Sequence, residues 1–150
     1  MTFRKNVGRL IMSASLLSTA IAPWLADWNS THIFSEQWSS HARFHGVSYL
    51  CMAFGASVMG LWALWRPTPD RDLGHIVGAL IPILYWGPFF IALLVPGTAV
   101  EDPGHALKRV MGIPVNVIAA AGQVLLSVVG FILYKAFKTD NEHVGSGMEG

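Results

Sequence analysis

Charged residues are scarce in this chain of 150 residues, in which Asp, Glu, Lys and Arg make up 13% of the total. An average soluble domain has about 25%. Four long stretches carry no charge at all: Leu10–Ala26, Gly46–Trp65, Ile76–Val100 and Val110–Tyr134. The charged residues are confined to the short segments between these stretches and at the two ends of the chain, so the composition excludes a soluble globular protein.

Cysteine is nearly absent as well, since Cys51 is the single residue of this type. One cysteine excludes an intramolecular disulfide, a CxxC redox pair and a cysteine-rich zinc site. Ten Lys and Arg against nine Asp and Glu leave a net charge of +1, which does not favour a partner made of nucleic acid. The chain has no Gly-rich nucleotide loop, and the fourth apolar stretch has no histidine that could bind a haem. No haem or nucleotide cofactor is therefore expected.

The four apolar stretches predict an all-α membrane protein, a bundle of four transmembrane helices at about residues 8–26, 44–65, 75–96 and 113–134. About 20 apolar residues are enough for a helix to cross the hydrocarbon core of a bilayer. Residues 1–138 then form one domain, and the polar, Gly-rich residues 139–150 are predicted to be a disordered tail. The first stretch also resembles a signal peptide with a cleavage site at Ala20-Ile21-Ala22. Because the apolar run continues to Ala26, we favour an uncleaved helix.

The basic residues predict the orientation of this bundle. Only Arg43, Lys108 and Arg109 lie on the side opposite the termini. Cytoplasmic loops carry the excess of Lys and Arg, so both termini are predicted to be cytoplasmic. We expect the plasma membrane in a bacterium, and the endoplasmic reticulum or another endomembrane in a eukaryote. The side of the termini collects seven basic residues: Arg4, Lys5, Arg9, Arg66, Arg71, Lys135 and Lys138.

Polar side chains concentrate on the other side, above all in residues 27–45, which we call loop one. His41 and His45 are four residues apart, which places both on one face if the second helix begins near Ser39 or Ser40. The loop between the third and fourth helices returns to the same side with further acids and a histidine. We expect one cluster at this surface, formed by Asp27, His32, His41, His45, Glu101, Asp102 and His105.

Such a cluster suits general acid–base chemistry, because histidine titrates near neutral pH and a carboxylate can orient it. The first functional hypothesis is an enzyme for isomerisation, cyclisation or hydration of a lipophilic small molecule. His41 and His45 would be the acid and base, with Asp27 as their charge partner and His32 and Glu101 as further catalytic candidates. The substrate would be held by Asn29, Arg43, Tyr49, Tyr85 and Trp86.

Two other interpretations stay open. A metal site of zinc or non-haem iron could use His32, His41 and His45, since imidazole is a common ligand of both. Alternatively the protein is a non-enzymatic binding or assembly subunit, whose loop one docks a partner with Trp28 and Trp38 as contact residues. The enzyme requires these side chains to converge on a cavity, whereas docking requires them to point outward. The oligomeric state is not predicted.

Loop one also carries a resemblance. The segments Ala26-Asp27-Trp28-Asn29-Ser30-Thr31-His32 and Trp38-Ser39-Ser40-His41-Ala42-Arg43-Phe44-His45 resemble an uncharacterised family of small four-span membrane proteins from fungi and bacteria. The family pattern is close to ADWNxTHxxxxxWxxHARFH, and this chain has Ser39-Ser40 where family members have prolines. The resemblance implies the four-span architecture and brings no activity with it.

Overall fold

The computed structural model describes residues 2–101 and 106–146, with side chains over 6–101 and 106–138. It contains four helices: α1 (Thr2–Asp27), α2 (Ser40–Trp65), α3 (Arg71–Ala92) and α4 (Val115–Ser146). Each is long and apolar enough to cross a membrane, over Asn6–Asp27, Ser40–Trp65, Arg71–Ala92 and Val115–Lys138. The prediction of an all-α bundle of four transmembrane helices is confirmed. The cytoplasmic location of the termini stays a prediction.

The helix boundaries follow local chemistry. Ser39 is the N-cap of α2, and its side chain accepts a hydrogen bond from the backbone N–H of Ala42. Asp70 caps α3 in the same way, through the backbone N–H of Leu73. Both caps use the short polar side chains that satisfy the free N–H groups at a helix start. The cap at Ser39 agrees with the helix start predicted from the sequence.

The structure differs from the predicted boundaries in two places. The chain forms a short antiparallel hairpin before α4, with β1 (Arg109–Val110) paired to β2 (Ile113–Pro114). Its turn residues Met111 and Gly112 have φ angles of 51° and 82°, a local geometry that hydropathy does not reveal. Helix α4 also continues to Ser146, so residues 139–146 are helical where a disordered tail was predicted. Between Gly130 and Gly145 the sequence has no proline or glycine that would end the helix earlier. Residues 147–150 lie outside the described residues.

The helices form an antiparallel ring in which each packs against the next, α4 closes on α1, and α1 also touches α3. Two contacts are close enough to require glycine. A Cβ at Gly8 would lie on the carbonyl oxygen of Gly130, where α1 meets α4. A Cβ at Gly74 would lie on the carbonyl oxygen of Ala63, where α3 meets α2. Small residues at such positions let helix backbones approach in lipid.

A cluster of apolar side chains fills the ring near the end that carries the two termini, which we call the terminal end. Its buried members come from three helices: Met12, Leu16, Leu64 and Ala79. Arg9 lies at the edge of this cluster, where its Nε and Nη2 atoms donate hydrogen bonds to the Leu64 carbonyl at 3.2 and 2.7 Å. Its guanidinium group lies 4.2 Å from the centre of the Trp65 ring.

Polar side chains bridge the middle of the ring. The Gln123 side chain on α4 accepts a hydrogen bond from the Ser15 hydroxyl at 3.0 Å and donates one to Ser18 at 2.7 Å. The Trp86 indole N–H on α3 donates to the Thr19 hydroxyl on α1 at 2.9 Å. These bonds satisfy polar groups that would otherwise face hydrocarbon, where an unpaired group costs several kcal/mol, roughly. They also fix the rotation of α1 toward α3 and α4.

Candidate functional site

Loop one has a compact fold that depends on one side chain, Asn29. The Asn29 side-chain oxygen accepts hydrogen bonds from the backbone N–H and the hydroxyl of Thr31, at 2.9 and 2.8 Å. It also accepts one from the His32 N–H at 3.2 Å, while the Asn29 amide donates to the Ala26 carbonyl at 2.6 Å. Asn29, predicted as a substrate anchor, therefore joins the end of α1 to the turn that follows it.

The second half of loop one packs against α2. Ile33 is buried, and Trp38 lies over Gly46, where a Cβ would meet both side chains at less than 3 Å. The Nη2 atom of Arg43 donates to the Ser35 carbonyl at 3.1 Å. Arg43, another predicted anchor, thus fastens the loop to the first turns of α2. Trp38, predicted as a docking contact, is half-buried against α2.

His32 faces two oxygens. Its Nδ1 atom lies 2.8 Å from the Thr31 hydroxyl, and its Nε2 atom lies 3.8 Å from a carboxylate oxygen of Asp27. The Thr31 hydroxyl also donates to the Asn29 side-chain oxygen. Asp27, which was predicted as the charge partner of His41 and His45, thus lies within ion-pair distance of His32.

His41 and His45 form a separate pair on the first turns of α2. Their Nε2 atoms lie 3.0 Å apart and their rings are nearly perpendicular, at 81°. Both side chains are exposed, and the His41 ring is parallel to Phe44. The predicted placement of the two histidines on one helical face is confirmed.

The three aromatic residues proposed to hold a substrate lie on α2 and α3 below loop one, where Tyr49 is exposed and Tyr85 and Trp86 are half-buried. Tyr49 stacks on Tyr85 with ring centres 5.0 Å apart, and Trp86 meets Tyr85 edge-on at the same distance. The Tyr85 hydroxyl is buried and has no hydrogen-bond partner among the described residues. The Trp86 indole N–H reaches α1, because α3 turns this face toward Thr19.

Glu101 belongs to a third pair, an ion pair with Arg109 at the base of the hairpin. Asp102 and His105 lie outside the described residues. The predicted outer cluster is thus arranged as three pairs: Asp27 with His32, His41 with His45, and Glu101 with Arg109. Among the side chains of residues 6–101 and 106–138, no three His, Cys, Asp or Glu gather closely enough to hold a metal ion. The structure does not bring His32, His41 and His45 together.

An aromatic ridge, formed by Trp24, Trp28 and Phe34, runs along the surface of loop one. The ring centres of Trp24 and Trp28 are 5.3 Å apart, and those of Trp28 and Phe34 are 5.1 Å apart. Trp28 is 47% exposed and Phe34 is 49% exposed. Trp28 was predicted as a contact residue and Phe34 was not, because the pairing of Phe34 with Trp28 depends on the turn that Asn29 makes.

Sequence reasoning also missed the polar site at the terminal end. Asp72 pairs with Lys135 at 3.1 Å and Lys138 at 3.0 Å, and accepts a hydrogen bond from Tyr134. His75 is buried against the Tyr134 ring and donates from Nδ1 to the Arg71 carbonyl. A cavity of about 330 Å³ opens beside them, lined by Pro69, Asp70, Arg71, Asp72, Tyr134, Phe137 and Lys138. The sequence could have indicated this site, because the intervals of three and four residues to Lys138 place Tyr134, Lys135 and Lys138 on one face of α4.

We expect Asn29→Ala to loosen loop one without unfolding the helices. The change removes the side-chain acceptor of the Thr31 and His32 N–H groups and leaves the His32 N–H with only the backbone carbonyl of residue 29, at 3.4 Å. We expect this loss to lower the stability of the loop by about 1.5 kcal/mol. Amide hydrogen exchange over residues 28–38 should then become faster, by roughly tenfold. Ser30→Ala, at the exposed neighbouring position, is the matched control and should leave exchange unchanged. Equal exchange in the two variants would show that Asn29 does not organise the loop.

Comparison with known proteins gives one positive result. No curated protein and no solved structure matches the chain. A model of DUF6640, described as a family of unknown function, matches residues 11–138. This range runs from the first turns of α1 through loop one to the last turn of the fourth apolar span. The chain therefore belongs to the DUF6640 family.

Proposed function

We propose that the protein is a non-enzymatic assembly subunit of the membrane, which docks a second integral membrane protein through the surface of loop one. The aromatic ridge carries this proposal. Trp28 and Phe34 are about half exposed, although the loop beneath them is held by Asn29 and by buried Ile33. Exposed aromatic side chains on a rigid support are the residues that dominate protein–protein interfaces.

The ridge indicates a partner that approaches within the membrane. Leu25, next to Trp24 on α1, is 80% exposed, and Ile21 one turn away is also exposed. The apolar surface of the ridge is therefore continuous with a lipid-facing surface of α1. A partner that covers both has to be an integral membrane protein with an apolar surface at the level of loop one.

The arrangement of the titratable groups also supports docking. Asp27 is paired with His32, whereas His41 and His45 contact each other on an exposed surface. Outward side chains are what docking requires. Acid–base catalysis on a lipophilic small molecule stays a prediction; it requires His41, His45 and Asp27 to meet at one substrate.

Photo-crosslinking in native membranes tests the docking proposal. A photoreactive amino acid in place of Phe34 should give a protein adduct of defined mass. Trp28→Ala in the same chain should weaken that interaction by about 30-fold, because an aromatic hot spot contributes about 2 kcal/mol. The control probe replaces Leu84, a 67% exposed residue of α3, and should give lipid adducts alone. Lipid adducts alone at position 34, or a protein adduct that persists unchanged in Trp28→Ala, would contradict the proposal.

A further inference from the structure

The exposed pair His41 and His45 has the geometry of a metal chelate. Its Nε2 atoms are 3.0 Å apart. Two imidazole nitrogens bound to one tetrahedral zinc ion, with bonds of about 2.0–2.1 Å, lie roughly 3.3 Å apart. A small side-chain adjustment is enough to replace the hydrogen bond between the rings by a shared zinc ion. The two histidines are therefore a preformed pair of ligands.

The chain supplies only half of a structural zinc site at this position. Such a site takes four protein ligands, and no third His, Cys, Asp or Glu joins the pair within the described parts of the chain. His32 is the nearest candidate in sequence, but it faces Thr31 and Asp27. The two missing ligands have to come from another molecule.

The face of α2 below the histidines indicates which molecule supplies the two missing ligands. Exposed or half-exposed residues follow the pair at alternating intervals of three and four, the heptad spacing of two helices packed with a left-handed twist. Met52 and Met59 are 73% and 66% exposed, and a Cβ at Gly55 would touch nothing. Helix α2 packs on α1 and α3 through its other faces. We call this face the α2 seam: His41, His45, Ser48, Met52, Gly55, Met59 and Trp62.

Two copies of the chain inserted in one membrane with the same topology are parallel. A two-fold axis along the membrane normal then places each residue of the α2 seam opposite its own counterpart. Ser48 and Gly55 let the two backbones approach, and the histidine pairs meet at the loop-one end. We propose that His41 and His45 are half of a four-histidine zinc site, completed by the same two residues of a second copy packed along the α2 seam. This inference is independent of docking through the aromatic ridge.

Zinc titration of the full chain, purified in detergent without a histidine tag, tests the site. Calorimetry should give one zinc ion per two chains, and analytical ultracentrifugation should show a dimer that a chelator dissociates. His41→Gln and His45→Gln should each abolish zinc binding and the dimer. Both residues are exposed, so neither variant endangers the fold. The matched control His32→Gln should keep both properties.

The α2 seam is tested separately. Gly55→Leu keeps the histidine pair but separates the two copies, so zinc should no longer produce a dimer. Gly122→Leu, at an equally uncrowded glycine of α4, should leave the zinc-dependent dimer intact. Four results would each overturn the proposal: one zinc ion per chain on a monomer, loss of zinc binding in His32→Gln, a folded chain that binds no zinc, or a zinc-dependent dimer of Gly55→Leu.

Discussion

A single methyl group added at Gly74 should lower the free energy of unfolding of the bundle by about 3 kcal/mol, the upper part of the usual range for overpacking. The Cβ of Gly74→Ala would stand 2.3 Å from the carbonyl oxygen of Ala63 and 3.1 Å from its carbon. Both are backbone atoms inside α2, so no side chain can rotate away to make room. Helices α2 and α3 have to separate, which also loosens the packing of Leu64 beside Gly78.

Gly122→Ala is the matched control, because Gly122 also lies inside a helix, has no proline neighbour, and a Cβ there meets nothing within 4 Å. Alanine is favoured over glycine in a helix by about 1 kcal/mol, so this variant should be as stable as the wild type or more stable. Unfolding by sodium dodecyl sulfate in mixed micelles, followed by circular dichroism, measures both variants. Equal stability of the two would show that α2 and α3 do not meet through Gly74.

Replacing Arg9 by methionine should lower the free energy of unfolding by about 2 kcal/mol, which is the usual contribution of hydrogen bonds from a charged group. The guanidinium group donates twice to the Leu64 carbonyl, at 3.2 and 2.7 Å. That carbonyl is one of the last four of α2, which have no partner within the helix. Methionine preserves the apolar length of the side chain and removes the bonds, so the measured loss reports on the bonds and the charge. The same detergent unfolding gives the value.

Arg66→Met removes an equal charge from the same end of the bundle and serves as the control. Arg66 also lies over a tryptophan, 5.0 Å from the Trp62 ring, but its Nε atom has no hydrogen-bond partner among the described residues. We expect Arg66→Met to lower the free energy of unfolding by much less than Arg9→Met does. Arg9→Lys should fall between the two, because lysine keeps the charge and lacks the paired N–H geometry. If Arg66→Met lowered the free energy of unfolding as much as Arg9→Met, the loss in Arg9→Met would come from the missing charge and not from the hydrogen bonds.

The four helices were predictable because their signals are local. Charge-free stretches of sufficient length mark the spans, Ser39 marks the start of α2, and the interval between His41 and His45 fixes a shared face. Each of these depends on residues within a few turns of one another. The hairpin at Met111 and Gly112 was missed, because its turn is set by backbone φ angles that apolar composition does not encode.

The grouping of the site residues was not predictable in the same way. Whether Asp27 meets His32 or the α2 histidines depends on the turn that Asn29 closes, and the sequence alone does not give that path. The rotation of α3 about its own axis was equally unpredictable. Each span is apolar on all its faces, so hydropathy does not indicate which face packs against which neighbouring helix. The bond from Trp86 to Thr19 settles that rotation.

The bridge from Gln123 to Ser15 and Ser18 has a consequence for the order of assembly. Helix α1 is synthesised first and α4 last, so the two serines enter the membrane before the residue that satisfies them exists. During biosynthesis they depend on other acceptors, such as the backbone carbonyl one turn back that Thr19 already uses on Ser15. Closure of the ring between α1 and α4 therefore has to wait until α4 is made, and a chain truncated before α4 would lack the Gln123 partner of both hydroxyls.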